Sequence, residues 1–288
     1  MKINNLKVPE GKKIKLKDYK TDVKDIKYSK DEAEELLKEH IEELFEYQAK
    51  LYAYDKYALL IVFQAMDAAG KDGAIKHIMS GLNPQGTQVF SFKQPSAEEL
   101  DHDYLWRVSK SLPRRGHIGI FNRSHYEDVL IVRVHNLLDK KKVPPELIDR
   151  DIWKERYRQI RDFEKYIFEN GIIPIKFFLH ISKEEQRKRF LKRANDPAKN
   201  WKISSSDLNE RGFWDDYQKC YEDAISATST NESPWYIIPS DTKRYARLIV
   251  SEIILKTFKS LNLEYPKPTK EQLDYIDEYR RILNSEEE

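Results

Sequence analysis

Asp67 and Lys71 stand in a run of side chains too small to obstruct a ligand, Gln64-Ala65-Met66-Asp67-Ala68-Ala69-Gly70-Lys71-Asp72-Gly73-Ala74-Ile75-Lys76. Ala68, Ala69, Gly70 and Gly73 let a ligand approach the backbone. The first N–H groups of a following helix have no partner within the helix, so such a turn favours an anion, above all phosphate. Lys71 and Lys76 add positive charge. The spacing approaches the phosphate-loop pattern G-x-x-x-x-G-K-[ST] and departs from it at both ends. Ala65 replaces the first Gly, and Asp72 replaces the hydroxyl that normally helps hold Mg²⁺. Another oxygen must then serve the metal, and Asp67 supplies one. An ordinary strand-to-helix turn has similar letters, so the loop alone does not decide the matter.

A second stretch, His117-Ile118-Gly119-Ile120-Phe121-Asn122-Arg123-Ser124-His125-Tyr126-Glu127-Asp128, turns abruptly from apolar to polar. A Walker B strand ends this way, although here Asn122 stands where the acid usually does and offers only a neutral oxygen. Should this strand neighbour the first, Arg123, Glu127 and Asp128 face the loop; otherwise they read as a strand-end cap with a surface ion pair. Strand-end loops hold sites in α/β proteins, which favours function.

Lys183 to Lys202 carries eight Lys/Arg against Glu184, Glu185 and Asp196, a local net charge of +5. Arg189 and Arg193 are four apart and share a helix face. Guanidinium groups fork onto phosphate oxygens with paired hydrogen bonds, so the face suits a polyanion, although a solvated basic helix has the same composition. Arg107, Lys110, Arg114 and Arg115 form another basic set, fit either to line a polyanion channel or to sit at a helix end. Arg133 lies in an apolar run and requires an anionic partner. Asp241-Thr242-Lys243-Arg244 follows a late strand, and only analogy with other folds of alternating strands and helices makes it a ligand loop. His77, His102, His125 and His135 lack metal-ligand spacing.

These groups need elements to position them. The run Ala58 to Phe63 suits a strand buried on both faces. Further strands are expected at Val89–Phe92, His117–Phe121, Ile172–Ile181 and Trp235–Pro239. Ser29 and Glu32 form a capping-box signature for a helix over Asp31–Asp55, with Ala33, Leu36, Leu37, Ile41, Leu44, Phe45 and Leu51 on its apolar face. Other helices are expected from Gly73 to Met79, after Ser96 as far as Pro113, from Pro144 past Trp153 to Phe168, after Ser182, over Phe213–Thr228 and Tyr245–Leu261, and in an acidic tail. Asp196 to Leu208 reads as a polar loop. Residues 1 to about 30 read as an extended surface arm. Strands alternating with helices predict a parallel sheet wrapped by helices, with ligands at its carboxyl ends.

The 288 residues are 40% hydrophobic and 35% charged, enough for a core beneath a very polar surface. A net charge of only +2 means that anion binding must come from local clusters. One cysteine, Cys220, excludes an intramolecular disulfide and a cysteine metal cluster. No apolar run reaches membrane-spanning length and no signal-peptide core is evident, so a cytoplasmic protein without a membrane partner is expected.

The two chemical stretches, together with Asp196-Pro197-Ala198-Lys199-Asn200-Trp201-Lys202-Ile203-Ser204 and the following Asp207-Leu208, closely resemble the polyphosphate kinase 2 family in order and spacing. The resemblance runs from about Tyr52 to Leu261. It implies an α/β, P-loop kinase-like three-layer fold: a parallel five-stranded sheet covered by helices, with a helical lid. Residues 1–55 would form an arm and helix, and 56–288 the kinase domain, its lid at about 183–212. It also implies transfer of a terminal phosphate between inorganic polyphosphate and AMP, ADP or ATP, or the guanine nucleotides, with Mg²⁺ or Mn²⁺. A homo-oligomer, dimer or tetramer, and no nucleic-acid partner are expected. Many members have Gly at the position of Ala65 and Asp at that of Asn122. Asn at the latter, with Glu127-Asp128, resembles a subgroup accepting both nucleoside mono- and diphosphates.

On this reading Lys71 and the N–H groups of Ala68, Ala69, Gly70, Asp72 and Gly73 hold phosphates, joined by Lys76, Arg114, Arg133 and Lys243. Asp67, Asn122 and Glu127 hold the metal, and Asp67 alternatively orients the acceptor oxygen. Arg123 with Arg187 or Arg193 stabilises transferring charge. Two rivals fit many of the same residues: an ATP-dependent nucleotide or small-molecule kinase, and a noncatalytic module binding polyanions or nucleic acid.

Overall fold

A computed structural model describes residues 5–23 and 28–286. Among these residues the strands are β1 (Ala58–Ala65), β2 (Thr87–Ser91), β3 (Ile118–Asn122), β4 (Ile172–His180) and β5 (Trp235–Pro239). The helices are α1 (Lys30–Tyr54), α2 (Lys71–Ile78), α3 (Ala97–Leu100), α4 (Trp106–Ser109), α5 (Ile131–Val134), α6 (Ile152–Glu169), α7 (Lys183–Ala194), α8 (Ser205–Gly212), α9 (Trp214–Thr228), α10 (Lys243–Ser260) and α11 (Lys270–Ser285). Every residue of β1 is buried, as a central strand covered on both faces requires. The sheet order is β2-β3-β1-β4-β5, and all neighbours run parallel. β1 and β3 lie side by side with Phe63 opposite Asn122. Their carboxyl ends therefore open onto one crevice, and the phosphate-loop candidate and the Arg123 turn leave the sheet next to each other.

α1 begins at the expected capping box, in which the Ser29 hydroxyl accepts from the Glu32 N–H and the Glu32 carboxylate from the Ser29 N–H. Leu44 and Leu51 enter the main core, while Ala33 and Leu37 pack on Leu248 of α10. Phe45, expected on the buried face, is exposed. α2 and α10 each start two residues earlier than expected, at Lys71 and Lys243. The helix expected after Ser96 is instead two short ones, α3 and α4. Pro144 opens only a short 3-10 turn before α6 starts at Ile152.

Two corrections are larger. The polar stretch after Asp196 contains α8, opened by a reciprocal cap between Ser204 and Asp207. The amino-terminal arm is not a surface feature: Leu6, Val8, Ile14, Leu16 and Val23 are all buried in the main core. Its Val8 N–H donates to the Trp235 carbonyl at 2.9 Å, and Lys7 bridges antiparallel to Tyr236, so the arm lies along β5. Residues 1–4 and 24–27 of the expected arm lie outside the described residues.

Candidate active site

The chain leaves β1 at Ala65, which still pairs with Leu179 of β4. The first position of the phosphate-loop pattern is thus a strand residue, and a methyl group is tolerated there. Ala68 and Gly70 have φ of 60° and 108°, in the left-handed region. For Gly70, which caps α2, this carries no side-chain penalty; for Ala68 it costs about 1–2 kcal/mol. The turn is therefore held in place by its surroundings. Lys71 arches back over it and donates to the Ala65 carbonyl at 3.1 Å. Enclosure by the fold depresses its pKa, against the opposing pull of Asp67.

Arg123 closes the other side. Its backbone is left-handed, φ 65°, and its N–H donates to the Phe63 carbonyl at 3.0 Å, so the turn is stitched to β1. Its guanidinium lies 3.3 Å from Asp67 Oδ1 and 4.0 Å from Glu127 Oε2. One cation thus sits between two carboxylates from different loops. Burial pushes the Glu127 carboxyl above its ordinary range, although Arg123, Lys71 and the Gln64 amide each oppose this. The Asn122 amide donates to Asp72 Oδ1 at 2.8 Å. Two of the three residues that depart from the usual pattern are therefore partners, tying β3 to the first turn of α2.

Asp67, Arg123 and Glu127 line a cavity of about 320 Å³, and Asp207, Glu210 and Arg211 of α8 line it too. Glu210 is itself tethered, accepting from the Tyr217 hydroxyl at 2.6 Å and lying 2.9 Å from His135 Nε2. On the other side of the loop stand the cations of α10. A methyl group placed at Gly70 would lie 3.9 Å from Lys243 Cε, and one placed at Gly73 would lie 3.4 Å from Arg247 Nη2. Partial burial depresses the Lys243 pKa, helped by the charges of Arg189, Arg247, Arg193 and Lys192. The loop is thus flanked by carboxylates on one side and a cationic cluster on the other.

The remaining expected residues divide. Arg193 belongs to the cationic cluster. Arg187 is exposed and forked onto Glu184 at 2.8 and 3.0 Å. Lys76 is exposed on α2. Arg114 must be corrected: it bonds His117 at the amino end of β3, one strand length of roughly 16 Å from the loop. Arg133 meets its required anion, Asp223, at 2.9 Å and donates to the Tyr157 hydroxyl at 2.7 Å, so it serves the packing of α5 on α6 and α9. Of the other basic set, Arg107 is buried on the Lys93 carbonyl and Arg115 donates to the Lys56 carbonyl. Arg189 does not present its guanidinium to solvent; it is buried against backbone carbonyls. Sequence reasoning missed Arg247, although its spacing of four from Lys243 on a helix following a strand was a usable signal. It also missed Gln186 and Arg211, which nothing local in the sequence marks.

The family model for polyphosphate kinase 2 matches residues 27–266. The chain belongs to the polyphosphate kinase 2 family. An ADP-polyphosphate phosphotransferase of Rhodopseudomonas palustris is 52% identical over 285 residues, covering 98% of this chain and 99% of the relative. An AMP/ADP-polyphosphate phosphotransferase of Meiothermus ruber is 46% identical over 237 residues, 82% of this chain and 84% of the relative. The crystal structure of polyphosphate kinase 2 from Arthrobacter aurescens superimposes with a TM-score of 0.85 at 38% identity, over 95% of each chain. The fold is accordingly the α/β, P-loop kinase-like fold of this polyphosphate kinase 2 structure.

Proposed function

We propose that this polyphosphate kinase 2 family member transfers a terminal phosphate between inorganic polyphosphate and nucleoside mono- or diphosphates, AMP/ADP or GMP/GDP, to give di- and triphosphates. The observation that carries the reading is the convergence of Lys71, Asp67 and Arg123 on one cleft beside a turn of small residues. Phosphoryl transfer asks a protein chiefly to position reactants and to neutralise charge on equatorial oxygens. Lys71 and the N–H groups opening α2 are suited to hold phosphates next to the transferred group. Lys243, Arg247 and Arg193 extend that positive surface beyond what one triphosphate needs, which supports a chain of phosphates as substrate. Arg123 is placed to stabilise transferring charge, and Asp67 either binds metal or orients the acceptor oxygen. The names of the two relatives support nucleoside mono- and diphosphates as acceptors.

A divalent cation, Mg²⁺ or Mn²⁺, fits the carboxylate side. Asp67 and Glu127 already converge on one guanidinium, and Glu127 is incompletely compensated by the charges around it. Among the described residues no three His, Cys, Asp or Glu side chains form a metal cage. Mg²⁺ takes one or two carboxylates and otherwise water and phosphate oxygens. Asp67 and Glu127 would hold the ion; Asn122 is engaged with Asp72. When bound, the ion would neutralise phosphate charge. Residues 183–212 act as a lid in this reading, and the protein works as a cytoplasmic homo-oligomer. Among the described residues no helix is long and apolar enough to cross a membrane.

The test is a donor and acceptor screen with purified protein, Mg²⁺ and polyphosphate, without ATP as donor. New ADP from AMP, or ATP from ADP, is expected, with Lys71→Ala and Asp67→Ala slower by orders of magnitude yet folded. Turnover only with ATP as donor would favour an ATP-dependent kinase. Salt-sensitive binding with no turnover would favour a noncatalytic polyanion module.

A further inference from the structure

Three consecutive carbonyls of the loop are occupied by two side chains of one helix. Gln186 Nε2 donates to the Asp67 carbonyl at 2.9 Å. Arg189 Nη1 donates to the Ala68 carbonyl at 3.0 Å and to the Ala69 carbonyl at 2.7 Å. The two residues are three apart on α7, so they share a face. Both are buried, at 1% and 7% exposure. The remaining donors of Arg189 are also spent: Nη2 reaches the Ser240 and Asp241 carbonyls at 2.6 and 2.9 Å, and Nε reaches Glu185 at 2.8 Å. A guanidinium has five N–H groups, and here each has an acceptor. Arg189 therefore has no donor left for a phosphate.

We infer that Gln186 and Arg189 are the positioning residues of the phosphate loop: by fixing the Asp67, Ala68 and Ala69 carbonyls toward α7 they aim the loop's N–H groups at the ligand. The inference rests on the reading of residues 65–73 as the phosphate-holding turn. A trans peptide is planar, with C=O and N–H on opposite sides. Each pinned carbonyl thus turns the next residue's N–H away from α7. The Ala69 N–H is used within the turn, on the Met66 carbonyl at 3.3 Å. The N–H groups of Ala68 and Gly70 are left facing outward. The same contacts hold Ala68 in its left-handed conformation, where an alanine does not settle unaided. Gln186 has a second role, since its Oε1 accepts from Arg211 Nη1 of α8 at 2.7 Å. One amide thus joins the loop to α8, whereas Arg189 joins it to the segment just before α10.

The experiment uses the full chain with Gln186→Met, Arg189→Lys, Arg189→Ala and, as reference, Lys71→Ala. Each is assayed for steady-state turnover with polyphosphate and Mg²⁺, for calorimetric binding of inorganic tripolyphosphate, and for its melting temperature. Gln186→Met conserves volume and removes the donor; kcat is expected to fall ~10-fold or more with the nucleotide KM nearly unchanged. Arg189→Lys keeps the charge and reaches fewer carbonyls, so it should fall between wild type and Arg189→Ala. Added guanidinium should restore Arg189→Ala several-fold and leave Lys71→Ala unmoved. Wild-type kcat in both Gln186→Met and Arg189→Lys would overturn the inference. So would losses that track melting temperature alone, with no guanidinium recovery. If Lys71→Ala still binds tripolyphosphate as wild type does, the phosphate-loop reading itself fails; if only the α7 variants are silent, the positioning role fails alone.

Discussion

Glu127 and Lys71 carry opposite charges in one enclosed cleft, and burial moves each toward its neutral form: the carboxyl is pushed up and the ammonium down. Both charged forms are needed if Glu127 holds a metal and Lys71 holds phosphate. Activity should therefore fall on the acid side as pH drops through the raised Glu127 pKa, and on the alkaline side as pH climbs through the lowered Lys71 pKa. Stability moves the other way at Glu127. A carboxyl whose folded pKa is raised stabilises the fold at low pH, and that contribution is lost as pH rises through the folded value. Glu127→Gln is thus expected to cut turnover at least ~10-fold and to raise the melting temperature at neutral pH. A pH–rate profile together with a melting series checks both; a variant that is slower and also less stable would count against this account of the charge. Asp67, Lys71, Arg123 and Glu127 were legible in the sequence because each sits within a few residues of a strand end, where a parallel sheet places its ligands. Arg114 was misassigned for the complementary reason: it precedes its strand and so belongs to the opposite end of the sheet. Gln186 and Arg189 were not legible, because their partners are loop carbonyls more than a hundred residues earlier in the chain.

Between elements, one buried network ties the Arg123 turn to the sheet behind it. Lys176, in the middle of β4, is fully buried and paired with Glu164 of α6. It also donates to the Tyr126 hydroxyl at 3.0 Å and to the Thr228 carbonyl at 2.8 Å. Tyr126 follows Arg123 by three residues and donates to Glu164 Oε1 at 2.8 Å. The cluster thus joins β4, α6, α9 and the turn that carries Arg123 and Glu127. Burial holds the Lys176 pKa down at about 8, with Glu164 opposing the shift. Lys176→Met leaves a buried carboxylate without its cation and should cost about 3–5 kcal/mol, while Lys176→Met with Glu164→Leu should recover most of that loss. Urea denaturation of the two variants decides this, and equal losses would mean that the pair is not the source. The alternation of strands and helices was readable because the strands are short, apolar and separated by capped helices. α8 was hidden by its polar composition, although Ser204 and Asp207 carry the spacing of a reciprocal cap. The lid motif around it leaves Trp201, Ile203 and Leu208 exposed. If these residues belong to a lid that closes on substrate, polyphosphate with Mg²⁺ should slow proteolysis between residues 196 and 208. Identical cleavage with and without polyphosphate would remove the lid assignment.

At the scale of the molecule, the amino-terminal arm reaches the site from behind. Its apolar residues escaped the sequence reading because they alternate with lysines only in pairs, Leu6 with Val8 and Ile14 with Leu16, too short to mark a strand. In the structure Leu16 is buried, and its N–H donates to Glu222 of α9 at 2.8 Å. Further on, the Thr21 carbonyl accepts from the Asp241 N–H at 2.8 Å, and the Thr21 hydroxyl donates to Asp241 Oδ2 at 2.8 Å. The other carboxylate oxygen of Asp241 accepts from the Ser182 N–H, at the cap of α7, at 2.8 Å. The Asp241 carbonyl is one of those held by Arg189. Asp241 therefore joins the arm, the start of α7 and the residues just before Lys243. Two substitutions separate what the arm does for the fold from what it does for the site. Leu16→Ala removes buried apolar volume and should cost about 2–5 kcal/mol without moving any charged group. Its purified, folded fraction should keep the wild-type KM for polyphosphate. Asp241→Ala removes little apolar surface but removes the side-chain bonds from the segment that carries Lys243 to the Thr21 hydroxyl of the arm and to the Ser182 N–H at the α7 cap. Its KM for polyphosphate should rise several-fold at temperatures where the protein is fully folded. Should both variants lose stability and leave that KM unchanged, the arm would be a clamp on the core alone, and the path from Thr21 through Asp241 to Lys243 would carry nothing to the substrate.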